Sequence, residues 1–284
     1  MILDYHMHLE PDEHLTKCPY HKEQIEVYVQ AALSRGTSEI GVSEHCNRFR
    51  EFRPMMDHLR ETVKGESMRE WLEHSFAESL DEYVDAVLEA QHAGMPVKLS
   101  IEVDYLPGHE EAIRKVLSAY PFDYVIGSVH FLGPWAIDSS PDVGWPEADV
   151  DETYREYFRH LVMAARSGLF DTLAHPDLVK KFGHRPSFPL DELYDEIARA
   201  AKETGVAVEV SSAGLFKPVG EIYPAQELLQ RLFDRGVPIT LGSDAHRPEQ
   251  VSAGLDQAVK AAAAAGYRHV TRFESRRPTL VELG

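Results

Sequence analysis

The sequence predicts an α/β fold whose parallel strands close into a barrel. Two observations carry this. Predicted strands and helices alternate seven times along the 284 residues, the pattern of a parallel sheet with helical crossovers. Metal-ligating residue types also recur at the C-terminal ends of those strands, and in a barrel all such ends face one rim. An open sheet would spread the same ends over about 30 Å, at ~5 Å per strand. No repeat, low-complexity linker or break in composition divides the chain. Barrels of this class use such a length as one unit, so residues 1–284 are expected to form a single domain.

The first strand covers 2–5 and delivers His6 and His8, whose i, i+2 spacing puts both imidazoles on one face. His14 follows six residues later. A helix over 21–35 has Ile25, Tyr28, Val29, Ala32 and Leu33 at helical spacing, with Gly36 to close it. A strand over 39–43 leads to Glu44 and His45. Residues 46–68 read as a long charged loop containing Arg48, Arg50, Arg53 and Pro54, and a loop of that length is usually functional or mobile. Residues 71–92 read as one helix, 96–103 as one strand carrying Glu102, and 110–119 as a helix. A strand over 124–129 ends at His130, before a Pro- and Gly-rich loop over 131–149. A helix (151–166), a strand (170–174) ending at His175, a helix (190–204) and a strand (206–210) follow. The last units are a helix (225–235), a strand (237–241) leading to Asp244 and His246, and an Ala-rich helix (249–265).

The strand-end residues are therefore His6, His8, His45, Glu102, His130, His175, Asp244 and His246. A catalytic zinc takes about three protein ligands plus water, so this set, with His14, fits two or three divalent ions. Glu102 interrupts an apolar run (Val97, Leu99, Ile101, Val103). A carboxylate facing a barrel interior must be paired or metal-bound, which makes Glu102 the candidate bridge. Mixed nitrogen and oxygen ligation without thiolate suits Zn, Mn or Fe. Cys46 has no general base placed for it, so a nucleophile role is disfavoured.

The formal net charge is -18, from 47 acidic and 29 basic residues. That opposes nucleic acid or an anionic membrane as partner, though not a small anionic substrate if cations line its pocket. No apolar run approaches the ~20 residues that span a bilayer. Two cysteines, Cys18 and Cys46, imply no disulfide framework. The first residues have no basic start and carry Asp4, Glu10 and Asp12, unlike a signal peptide. The cytoplasm is the expected location.

As a set, His6-Met7-His8, His14, Glu44-His45, Glu102, His130, His175 and Asp244-Ala245-His246 resemble the polymerase and histidinol phosphatase (PHP) family. The stretches IEVDYLPGHE (101–110), YVIGSVHFL (124–132), AHPDLVKKFG (174–183), VEVSSAGLFKPVGEIYP (208–224) and TLGSDAHRPE (240–249) are similar to its histidinol-phosphate phosphatase branch. The resemblance implies a distorted, TIM-like (β/α)7 barrel with a trinuclear metal centre at the C-terminal rim. It implies one ion on His6, His8, Glu102 and Asp244, a second on Glu102, His130 and His175, and a third on His14, His45 and His246. Glu102, Asp244 and His246 would also be catalytic.

The implied reaction is hydrolysis of L-histidinol phosphate to L-histidinol and phosphate, in histidine biosynthesis, by a metal-bridging hydroxide attacking phosphorus. Lys180, Arg185, Lys217 and Arg247 are expected to reach the phosphate. Arg48 and Arg53 would close over the substrate from the long loop, and Glu44 would accept its amine. A phosphoesterase of the same fold acting on a phosphotyrosine protein or a nucleotide is the alternative. An amidohydrolase also begins with His-x-His, but the bridging position here is Glu102 and not lysine. A metal-stabilised binding module would need closed coordination spheres.

Overall fold

The computed structural model describes residues 1–9 and 20–284; His14 and Cys18 lie outside the described residues. In chain order the elements are β1 (Leu3–Asp4), α1 (Lys22–Ser34), β2 (Glu39–Val42), α2 (Arg53–Thr62), α3 (Glu66–His74), α4 (Leu80–His92), β3 (Val97–Leu99), β4 (Glu102–Asp104) and α5 (Glu110–Leu117). They continue with β5 (Ile126–Ser128), β6 (Phe131–Leu132), β7 (Trp135–Ala136), α6 (Val150–Arg166), β8 (Thr172–Leu173), α7 (Asp191–Thr204), β9 (Ala207–Ser211), α8 (Gln226–Asp234), β10 (Ile239–Gly242), α9 (Leu255–Ala265), β11 (His269–Glu274) and β12 (Arg277–Glu282).

The chain is an α/β fold with parallel sheets. One sheet runs β1-β2-β3 and the other β10-β9-β8-β5-β4, with every pair parallel. Every residue of these strands is buried, as parallel strands covered by helices must be. The helices supply that cover from one apolar stripe each. In α7 it is Tyr194, Ile197, Ala198, Ala200 and Ala201, and the helix stops at Gly205 in the left-handed conformation. Backbone bonds also run between the sheets. Tyr5 N donates to Leu241 O at 2.9 Å, Asp244 N to His6 O at 2.8 Å and Glu102 N to Glu44 O at 3.0 Å.

Four expectations are corrected. Residues 96–103 are not one strand: β3 pairs with β2 and β4 pairs with β5. At the bend the Tyr83 hydroxyl donates to Ser100 O at 2.7 Å and lies 2.8 Å from Val42 O, which accepts from Ser100 N, so the carbonyl turned out of the ladder stays satisfied. Residues 46–68 are not a structureless loop. They hold 3₁₀ turns at Cys46–Arg48 and Arg50–Phe52, then α2 with Pro54 in its first turn and Met55, Met56 and Leu59 buried. Residues 71–92 are not one helix. Between α3 and α4, Phe76 adopts φ 60°, and Phe76 and Glu78 donate to Asn47 O and Arg48 O. The Ala-rich helix begins only at Leu255, after a 3₁₀ turn at Pro248–Gln250.

The β11–β12 hairpin, absent from the sequence expectation, packs at the N-terminal strand ends. Arg276 reaches Asp171 at 2.8 Å before β8, and Arg272 pairs with Glu39 at the start of β2. The opposite, C-terminal ends carry the site. No helix among the described residues is long and apolar enough to cross a membrane.

Candidate metal centre

Each strand-end residue predicted above comes to one place; His14 lies outside the described residues. His6 and His8 follow β1 and are completely buried. His45 follows β2, His130 follows β5, His175 follows β8, and Asp244 and His246 follow β10. Glu102 opens β4 yet lies level with the others, because the bend before it sets Glu102 opposite His45 in a parallel bridge. Its carboxylate is the hub. Oε1 lies 3.2 Å from His175 Nε2 and 3.7 Å from His130 Nε2. Oε2 lies 2.8 Å from His45 Nδ1, 3.5 Å from His6 Nε2 and 3.7 Å from His8 Nε2. Asp244 Oδ1 is 3.3 Å from His8 Nε2 and 3.6 Å from His6 Nε2.

Two of these candidate ligand residues sit on strained backbone. His175 has φ 22° and Asp244 φ 53°, a region costing on the order of 1–3 kcal/mol for a non-glycine residue and concentrated at functional sites. The His175 strain is held by Glu209, which sequence reasoning missed. Glu209 is buried; its Oε2 accepts from His175 N at 2.8 Å, and its Oε1 accepts from His6 Nδ1 at 2.8 Å. A carboxylate only accepts when ionised, so it fixes the His6 proton on Nδ1 and turns Nε2 to the cluster. Gly242 makes room for this: a Cβ there would lie 2.0 Å from Glu209 Oε1 and 2.6 Å from His6 Cβ. Asp104 props His130 in the same way, Oδ1 to Nδ1 at 2.8 Å. Asp4, also buried, ties β1 to the far end of the chain by accepting from Ser243 N and Ser252 N, each at 2.8 Å.

The electrostatics of the cluster are opposed within a few ångström. Burial works against charge on His6, but Glu209, Glu102 and Asp244 outweigh it and raise its pKa well above the ordinary value. Burial, with His45 and His246, pushes His8 well below it. The His8 ring stacks on His45 at 4.0 Å and on His246 at 4.4 Å. Burial would raise Glu102 and Asp244, yet the surrounding imidazoles hold both carboxyls well below the usual range. Imidazoles stacked beside buried carboxylates are a donor set for cations.

Three overlapping groups place ligand atoms within 4.8 Å of one another: His6, His8 and Asp244; His6, Glu102 and His175; His8, His45 and His246. His6 Nε2 and His8 Nε2 are buried and make no hydrogen bond among the described residues. The residues therefore fit divalent metal ions, and their nitrogen and oxygen donors suit zinc, manganese or iron.

The matching family model is described as PHP domain and covers residues 5–213. The chain belongs to the PHP domain family. Among PHP relatives, a Deinococcus radiodurans protein named "Probable histidinol-phosphatase" is 36% identical over 277 residues, covering 95% of this chain and 96% of the relative. The Bacillus subtilis "Histidinol-phosphatase" is 25% identical, covering 84% of this chain and 93% of its own length. A solved structure of histidinol phosphate phosphatase from Lactococcus lactis, complexed with zinc, L-histidinol and phosphate, aligns with TM-score 0.75 at 22% identity and covers 98% of each chain.

The expected substrate-side residues divide. Lys217 and Arg247 line a cavity of about 490 Å³ beside Asp244 and His246. Three placements need correction. Arg48 does not overhang the rim; it is buried against Glu44 at 3.2 Å and Glu78 at 3.3 Å. Glu44 is buried too, bonding Leu9 N and facing Arg48, so its carboxylate is taken up within the fold. Lys180 is buried in contact with Asp177 at 2.8 Å and Glu221 at 3.2 Å. The 3₁₀ turn at Leu178–Lys180 instead turns Lys181 to a second cavity beside His130. Arg53 is half exposed on Asp57, and Arg185 is half exposed on Glu221. Cys46 faces Asp104, and burial with that carboxylate pushes its thiol well up, away from nucleophile chemistry.

Proposed function

We propose that this chain hydrolyses phosphate monoesters, with L-histidinol phosphate as substrate and L-histidinol and phosphate as products, within histidine biosynthesis. The observation that carries the reading is the buried cluster in which Glu102 and Asp244 each face several imidazole nitrogens. The names of the Deinococcus and Bacillus relatives support the substrate, as does the zinc, L-histidinol and phosphate held by the Lactococcus protein.

Each imidazole would serve one ion. His6, His8 and Asp244 would share the first ion with Glu102. His130 and His175 would take the second with the other Glu102 oxygen, and His45 and His246 the third, together with His14. Two or three ions are expected, zinc foremost, with manganese or iron as alternatives. When bound, such ions acidify a water and neutralise phosphoryl oxygens.

The chain's own residues set the geometry. Glu209 and Asp104 hold the His6 and His130 rings by their Nδ1 protons, leaving each Nε2 toward the cluster. Lys217 and Arg247 bring two positive charges to the cavity beside Asp244, where a guanidinium can take phosphate oxygens in bidentate fashion. The backbone bonds from Tyr5, His6 and His8 to the β10 end support closure into a (β/α)7 barrel with the metals at its C-terminal rim. A single domain over 1–284 and a cytoplasmic location complete the proposal.

The test is metal analysis followed by phosphate release from L-histidinol phosphate, a phosphotyrosine peptide and a nucleoside monophosphate. The amino-alcohol phosphate is expected to have the highest kcat/KM. A metal-loaded protein that releases phosphate from no ester defeats the proposal, and preference for the peptide or nucleotide reassigns the substrate.

A further inference from the structure

A second cavity, of about 260 Å³, opens from the other side of the cluster, where His45 and His130 meet it. It lies just below the usual ligand-pocket range of about 300–1,000 Å³, so it suits a small organic body. One wall is apolar, from Met68, Trp71 and Phe131, and the other carries Asp138 and Lys181. The two cavities flanking the cluster therefore differ in charge. The first offers Lys217 and Arg247 beside Asp244 and Glu249, and the second offers Asp104 and Asp138, the latter paired with Lys181 and faced by His130 and His175.

Asp138 is held firmly. Ile137 N donates to His130 O at 3.0 Å, and Trp145 Nε1 donates to Ile137 O at 2.7 Å, which fixes the backbone beside the cluster. Lys181 Nζ donates to Asp138 O at 2.7 Å and to Oδ2 at 3.1 Å. The other carboxylate oxygen, Oδ1, accepts no hydrogen bond from the described residues, and the side chain is about a quarter exposed, at 24%. A rigid, ionised acceptor open to a cavity next to a phosphoryl site repels phosphate and attracts a cation.

We propose that Asp138 receives the ammonium of an amino-alcohol phosphate and so determines preference for such esters over esters of neutral alcohols. The inference rests on the phosphatase reading above. It orients the substrate: phosphoryl group at the cluster with its outer oxygens toward Lys217 and Arg247, ammonium at Asp138, and ring against Trp71 and Phe131. Lys181 acts as a positioning residue that fixes the carboxylate through its other oxygen.

The experiment compares L-histidinol phosphate with its deamino analogue in the metal-loaded enzyme and reads the ratio of their kcat/KM values. A ratio survives a general loss of activity, so it separates selectivity from folding defects. The wild type should favour the amine by about tenfold or more, as for one charge-assisted contact. In Asp138→Asn, and independently in Asp138→Ser, the ratio should fall toward one through KM, and inhibition by L-histidinol should weaken by a similar factor. An unchanged ratio in the variants overturns the inference, including the case where both esters lose equally. So does a wild-type ratio near one. A wild type that cleaves other phosphomonoesters but neither of these overturns the substrate assignment, and the inference with it.

Discussion

Glu209 and Asp104 do similar work on opposite sides of one cluster, and they differ in how much depends on them. Glu209 and His6 are both sealed from solvent, at 2% and 0% exposure. Its two oxygens serve two donors on two strands, one of them the strained backbone of His175. Asp104 meets His130 nearer the cavity mouth, where His130 is 13% exposed, and its second oxygen accepts, among the described residues, from the Cys46 thiol alone, at 3.9 Å. The inner prop fixes backbone and ring together, whereas the outer one fixes a ring. A carboxylate matters to a metal site in proportion to the donors it satisfies and the water it lacks.

The sharpest test of that contrast is Glu209→Gln. A carboxylamide keeps the shape but offers one acceptor and one donor to two N–H groups, so one of them is left unsatisfied. An orphaned buried donor costs about 1–3 kcal/mol, and loss of such a prop typically lowers metal affinity about 10–100-fold. Thermal unfolding and zinc titration against a competing chelator should both register the change. Gly242→Ala reaches the same end without touching the chemistry, because its Cβ would occupy the space of Glu209 Oε1 and His6 Cβ. Unchanged zinc affinity in both variants would show that the ring needs no prop.

Asp104→Asn should do less. An amide turned with its oxygen to His130 still accepts the Nδ1 proton, so the tautomer survives and only the charge is lost. The expected result is a fall in zinc affinity of no more than about tenfold, recoverable with excess zinc, and a smaller change in unfolding temperature than Glu209→Gln. If Asp104→Asn proves the more damaging, charge at the cavity mouth outweighs the number of donors held.

Much of the cluster was legible because its signals are local. A histidine just past a short apolar run is visible without knowing what the run pairs with, and so is Glu102 inside one. The same signal marks Glu209 within VEVSS, but its meaning depends on His6, 203 residues away. Lys180 and Lys181 differ only in the phase of one 3₁₀ turn, which spacing does not set. The charged text of 46–68 hid the buried stripe of Met55, Met56 and Leu59, and Arg48 found its acidic partner, Glu78, in a segment that reads as helix. Local pattern revealed which residues gather at the rim; long-range packing decides which of them face substrate.

Arg53 marks the outer limit of the contrast. It begins α2 and is 51% exposed, and its Nε bonds Asp57 Oδ1 at 3.1 Å across one turn. An exposed i, i+4 pair is worth about 0.3–0.5 kcal/mol, and a cation in the first turn of a helix is slightly unfavourable against its dipole. The two effects partly cancel, so Arg53→Ala should shift the unfolding temperature by no more than about 2 °C and leave KM for L-histidinol phosphate within error. Steady-state kinetics beside a melting curve check both. A severalfold rise in KM with stability intact would mean that α2 moves toward the rim when substrate binds. The cluster would then be governed by a closing segment as well as by its two fixed props.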